Sequence, residues 1–263
     1  MFVEEEALEQ PLTLFNNGFW EVLLAEAHTL SKNEPILNDY VSEMLLSHPS
    51  YSSALINRLR QLLEGKLKIR SDIERIIKSV YDEHPVLIEA AEADLRATLT
   101  KDPACHTMCQ AFLFFKGFLA LQVHRIAHVF FQQGRSSLAF LLQSMCSEQF
   151  SIDIHPAASI GQGVFIDHAH AIVIGETAIV GDDVSILHSV TLGGKGNEEG
   201  IRHPKIERGV TIGAGASVLG NVRVGEFTTI AAGSIVLTNI PSHCTAVGVP
   251  ARVIPKATRD CVQ

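Results

Sequence analysis

The sequence predicts an α+β chain in two parts, an all-helical stretch over residues 1–150 followed by a parallel β-solenoid over residues 151–263. Three observations carry that prediction. Residue usage changes near Ser151: 23 of the 27 leucines precede it, and 15 of the 19 glycines follow it. The first part spaces its apolar residues by three and four, the period of an amphipathic helix. The second part repeats an aliphatic residue every six positions.

In the first part, WEVLLAEAHTL, SALINRLRQLL, IRSDIERIIKSVYDEHP and VLIEAAEADLRATL each read as a helix with one apolar face, and Pro35, Pro49, Pro85 and Pro103 punctuate them. A last helical stretch runs from about Met108 to Met145 with a break near Gly134. Its aromatic-rich segment FLFFKGF reads as core or oligomer contact rather than a cofactor site.

In the second part the six-residue register runs through Ile154, Ile160, Ile166, Ile172, Ala178, Val184 and Val190. It resumes at Ile206, Ile212, Val218, Val224, Ile230 and Val236, so the break holds ten extra residues, assigned to an inserted loop over about 195–205. One inward aliphatic in every six positions fits a short strand plus a turn, three of which close a triangular coil of about 18 residues. Coils so stacked lie about 4.8 Å apart. The pattern resembles the left-handed parallel β-helix, an exception to the usual right-handed crossover.

Composition excludes other classes. With 263 residues and 46% hydrophobic residues the chain folds, and a net charge of -8 argues against a nucleic-acid or anionic-lipid surface. The start MFVEEEALEQ lacks the basic region of a signal peptide, and no run reaches the roughly 18 apolar residues of a membrane span. A cytoplasmic protein without membrane attachment is expected. The five cysteines, at 105, 109, 146, 244 and 261, form no CxxC pair and read as reduced thiols. Cys105 and Cys109 share a helix face with metal-ligand spacing, but small buried apolar residues account for them equally, and no metal is expected.

Histidines and carboxylates concentrate in SIDIHPAASIGQGVFIDHAHAIVIGE and in the insertion VTLGGKGNEEGIRHPKIERG. A histidine of ordinary pKa about 6.5 accepts a proton near neutrality, given a partner that fixes its tautomer. The separation of Asp153 and His168 falls just short of a full turn of the solenoid, so they lie one coil apart near one edge; by spacing alone, other Asp–His pairs on neighbouring coils would serve as well. His170 and His188 are separated by one whole coil and are expected to stack, while His155, His188 and His243 read as structural.

IDIHPAASIGQGVFIDHA, VTLGG followed by a loop ending in RHPK, IGAGASVLGN and GVPAR together resemble the serine O-acetyltransferase family. WEVLLAEA, the EPIL segment, KDPAC and KGFLALQVHRIAH extend the resemblance over nearly the whole chain. It implies transfer of acetyl from acetyl-CoA to the hydroxyl of L-serine, with acetyl-CoA as co-substrate and no permanently bound cofactor or metal. It makes His168 the general base and Asp153 the residue that orients it. It places Asp102 and Asp167 at the substrate ammonium, Arg202 and His203 at the carboxylate, Gly194, Ala214 and Ala232 along the CoA, and Arg252 and Lys256 at its phosphates. The plain physical alternatives are a helix cap for Asp102, a solvated loop for Arg202 and His203, and ordinary turn residues for the glycine and alanines.

The resemblance also implies inhibition by cysteine and a homo-hexamer, a dimer of trimers joined through the N-terminal helices. Members often bind O-acetylserine sulfhydrylase through a C-terminal isoleucine; this chain ends in Gln263, so weak or absent binding is expected. The rival readings are another hexapeptide acetyltransferase, a gamma-type carbonic anhydrase with zinc on three histidines, and a non-catalytic scaffold. The solenoid histidines include no pair five apart, the spacing associated with the anhydrase family.

Overall fold

The computed structural model describes residues 18–64, 70–196 and 200–255. Among the described residues eight α-helices come first: α1 (Phe19–Asn33), α2 (Asn38–Val41), α3 (Tyr51–Glu64), α4 (Arg70–Glu83), α5 (Val86–Lys101), α6 (Met108–Phe114), α7 (Lys116–Gln132) and α8 (Ser136–Phe150). The predicted helices are all present, and the long last stretch is three helices, broken at Phe115 and again at Gly134, whose φ of 76° ends α7. α7 is the central element. Most of its length is buried, including the polar Gln122, His124 and Arg125.

Fifteen short strands follow among the described residues, arranged on three faces of a prism. The first face stacks β1 (Ile152–Ile154), β4 (Ile172–Ile174), β7 (Thr191–Gly193), β10 (Ser217–Leu219) and β13 (Ile235–Val236). The second stacks β2 (Ser159–Ile160), β5 (Ile179–Val180), β8 (Lys205–Ile206) and β11 (Arg223–Val224). The third stacks β3 (Phe165–Ile166), β6 (Ser185–Ile186), β9 (Thr211–Ile212), β12 (Thr229–Ile230) and β14 (Cys244–Val247), and β15 (Arg252–Pro255) runs back antiparallel against β14. The other strand pairings are parallel, giving about five coils.

The register corrects the sequence reading in one respect. Ile154 pairs with Ile174, not Ile172, so the first coil is longer by two than the regular period requires. The ten extra residues therefore fall in two places. Two widen the corner 167–171, and eight form the loop between β7 and β8, where Ile179 pairs with Lys205. The slip is invisible in the aliphatic pattern because each face turns two residues inward, such as Ile152 with Ile154 and Ile172 with Ile174. Moving the register by two exchanges one buried set for the other.

The wide corner is conformationally unusual: His168, Ala169 and Ala171 have φ of 55°, 50° and 54°. Non-glycine residues in the left-handed region are uncommon and cluster where surroundings force them.

Candidate active site

The structure places His168, Asp167, Ala214 and Ala232 on one edge of the prism and Arg202, His203 and Gly194 on another. On the edge joining the third face to the first stands His168, with 71% of its side chain exposed. Its Nε2 is 3.6 Å from Asp167 Oδ2, and its ring lies 5.4 Å from that of His188. The widened first coil is what brings His168, and not His170, over His188. The expected His170–His188 stack is thus replaced: His170 is exposed and meets the next coil through its carbonyl, which accepts from Ser189 N. His188 Nδ1 is buried without a partner among the described residues. Further along this edge, Gly215 N donates to His188 O and Gly233 N to Ala214 O, so His168, His188, Ala214 and Ala232 form one column. Beyond the histidines the column continues in two small, at least partly exposed side chains, Ala214 and Ala232.

The edge joining the first face to the second carries Arg202, His203 and Gly194. Arg202 pairs with Glu176 through Nη2, and its backbone N and that of His203 both donate to Thr177 Oγ1, at 3.0 and 3.1 Å. His203 Nδ1 accepts from Thr177 N at 3.2 Å, which leaves the ring proton on Nε2. A Cβ on Gly175 would overlap that Nε2, so the residue below His203 has to be glycine. The Arg202 hydrogen bond holds the Glu176 carboxyl below its usual range, and burial, followed by the Arg202 charge, lowers the pKa of His203. His155 also stands on this edge, packed edge-on against Phe131 and Phe140 and with its pKa lowered first by burial. The end of the inserted loop, at Arg202 and His203, is therefore fastened to the coil beneath it.

Asp153 projects outward from β1, where Oδ1 accepts from Gln143 Nε2 at 2.5 Å. It makes no hydrogen bond with His168 in the same chain. Asp102 ends α5, its Oδ1 accepting from Ala104 N at 2.8 Å, so a turn-capping role is present in the geometry. Arg252 lies on β15, and Lys256 and Gln263 lie outside the described residues. Burial pushes the Cys105 and Cys109 thiols up to about 11 and about 12, so both are neutral small apolar groups at neutral pH. Among the described residues no cluster of three or more His, Cys, Asp or Glu is arranged to hold a metal, and no helix is long and apolar enough to cross a membrane.

Two neighbours of candidate residues were not anticipated from the sequence: His188 as the ring beside His168, and Glu176, which holds Arg202. Allowing the first coil its two additional positions would have paired the histidines. IGETAIV carries no local signal for Glu176, because its partner lies far along the chain, across the insertion.

A stack of hexapeptide coils with a histidine at the head of a small-residue track defines the class, the hexapeptide acyltransferases. A model of that class, described as bacterial transferase hexapeptide, matches residues 203–238. The model described as serine acetyltransferase, N-terminal, matches residues 19–123. The serine acetyltransferase of Escherichia coli K12 is 46% identical over 241 residues, spanning 92% of this chain and 88% of that protein. The chain belongs to the serine acetyltransferase family. A serine acetyltransferase solved in complex with cysteine is similar with a TM-score of 0.86 and 43% identity, over 89% of this chain and 98% of that one. The Brucella abortus S19 enzyme solved with coenzyme A has a TM-score of 0.88 at 41% identity, over 93% of this chain and 98% of that one.

Proposed function

We propose that this protein transfers the acetyl group of acetyl-CoA to the hydroxyl of L-serine, releasing O-acetylserine and CoA. The observation that carries the reading is the column of His168, His188, Ala214 and Ala232 on one open edge. His168 takes the serine hydroxyl proton as the oxygen attacks the thioester carbonyl. The tetrahedral intermediate then collapses with loss of the CoA thiolate, and the proton on His168 returns to that sulfur. His188, whose ring lies beside that of His168, serves in this reading as the donor to the oxyanion. Ala214 and Ala232 let the pantetheine arm lie close to the backbone, with Arg252 as a phosphate contact.

Asp167 and Asp102 suit the substrate ammonium, and Arg202 and His203 its carboxylate, the guanidinium matching a carboxylate fork. Asp167 stands on the His168 edge and Arg202 and His203 on another edge of the same chain, while Asp102 ends α5. A complete serine site therefore forms where the His168 edge of one copy meets the Arg202 edge of another, with Asp153 brought to His168 across the same junction. That arrangement supports a cyclic trimer, and pairing of trimers through the helices supports the hexamer. Cysteine, nearly isosteric with serine, is expected to compete for the same ammonium and carboxylate contacts.

Thiol release from acetyl-CoA, followed with and without L-serine on wild type and His168→Ala, tests the reading. Serine-dependent release that the variant loses is the expected result. Release that depends on another hydroxyl acceptor and not on serine would keep the acyltransferase and discard the serine site.

A further inference from the structure

His168 belongs to the first coil, the one coil with no coil beneath it. In each higher coil the downward carbonyls are occupied from below. On the second face, Val180 O accepts from Gly161 N, Ile206 O from Gly181 N and Val224 O from Glu207 N. On the third face, Ile186 O accepts from Asp167 N, Ile212 O from Leu187 N and Ile230 O from Gly213 N. The matching carbonyls of the first coil are Ile160 O and Ile166 O. Both would be orphans in a bare solenoid, and a terminal strand without a neighbour frays.

The helices cover both places, with a hydrogen bond at Ile160 O and a close approach of the α7 backbone at Ile166 O. Arg125 of α7 donates from Nη1 to Ile160 O at 3.3 Å and from Nη2 to Gly161 O at 2.7 Å. The same guanidinium is held by Asp94 of α5, at 3.1 and 2.8 Å, and Gln122 adds a third donor to Asp94 at 3.0 Å. Asp94 Oδ1 in turn accepts from Val164 N at 3.0 Å. Side chains of Asp94 and Arg125 are 1% and 6% exposed, so the pair is buried and its polar atoms are shared out to the solenoid backbone. Lys101 closes the same corner by donating to Gly163 O and Asp183 O. At Ile166 O, α7 lies so close that a Cβ on Gly117 would overlap the oxygen and sit 3.2 Å from Ala169 Cβ. Ile166 and Ala169 bracket Asp167 and His168.

We propose that Arg125, Asp94 and Gly117 are positioning residues for His168, standing in for a missing coil: Arg125 and Asp94 hold the end of β2 and the corner that leads into β3, and Gly117 lets α7 pack against the corner after β3 on which the base is carried. The helical half thus takes part in the reaction by holding one histidine, without touching substrate. The proposal rests on His168 being the base. It predicts an effect confined to the first coil: the track past Ala214 and Ala232 lies on higher coils, which have coils beneath them.

The test compares Asp94→Asn, Arg125→Lys and Gly117→Ala with His168→Ala and with Leu23→Ala, a core change in α1 remote from the solenoid. Steady-state rates are measured at a temperature where circular dichroism shows each variant folded. The expected result is a kcat at least about tenfold lower for the three variants with KM for acetyl-CoA within about twofold, and an unchanged kcat for Leu23→Ala at a matched loss of Tm. Should Asp94→Asn or Arg125→Lys not fold, Gly117→Ala and Lys101→Met carry the same comparison. Wild-type kcat in the folded variants, with His168→Ala inactive, overturns the positioning role. An active His168→Ala overturns the base assignment instead.

Discussion

The two edges that bear the candidate residues are built in opposite ways. On the Arg202 edge the polar groups are tied to other side chains or to the backbone: Glu176 to Arg202, Thr177 to Arg202 and His203, Gly175 clearing space for the ring. On the His168 edge the histidine is exposed and its position comes from the backbone, through three residues with positive φ. The contrast suits the tasks proposed for the two edges. A recognition site gains from rigid, pre-organised charge, whereas a proton acceptor has to reach a hydroxyl and give the proton up again.

Four predictions press on that contrast, beginning with the largest effect. His168→Ala lowers kcat/KM by about 10²- to 10⁴-fold, and because the side chain is exposed it leaves Tm unchanged; thiol release and thermal melting measure both. Arg202→Ala acts differently, raising KM for serine by about 10- to 100-fold while KM for acetyl-CoA stays level. Mixing these two variants after joint refolding distinguishes one-chain from two-chain sites. About one quarter of wild-type activity at low serine returns if each site draws one edge from each of two copies, and none returns if both edges serve within a chain.

The third prediction concerns pH. Buried His124, beside Arg125 and His128 on α7, has its pKa held down to about 3, chiefly by burial. Its neutral form is favoured in the folded state while the unfolded chain takes up a proton near pH 6.5. Stability is therefore intact above about pH 6.5 and falls as pH drops below it. The loss is about 2 kcal/mol by pH 5, and it is absent from His124→Gln in urea titrations at pH 7 and pH 5. The smallest effect belongs to Glu176→Gln, which keeps the shape but loses the charge on Arg202. A rise in serine KM of about 2- to 10-fold is expected, with kcat little changed; an equal fall in kcat would show that the Arg202 edge also shapes the transition state.

Much of this architecture was legible in the chain. The period of six survives because each coil buries its aliphatics on those above and below, and helix spacing survives because each helix buries one face. The two-residue widening at 167–171 was not legible, since either inner set of positions is aliphatic. That one ambiguity misassigned the partner of His188. The division of the candidates between two edges was hidden for a related reason: fixing the corner of a residue requires knowing where the insertion sits as well as how long it is. The buried Asp94–Arg125 pair was likewise out of reach, because helix periodicity marks their face as interior and says nothing of the bare carbonyls they meet.

At the far end of the prism, β15 turns back against β14 in the opposite sense to the parallel pairs below it. A parallel coil ending in free donors and acceptors is a growth surface, ready to template an identical coil from another molecule and so on without limit. On the third face the reversed strand breaks the parallel order, so a further coil from another molecule would meet β15 there and could not continue the parallel stack.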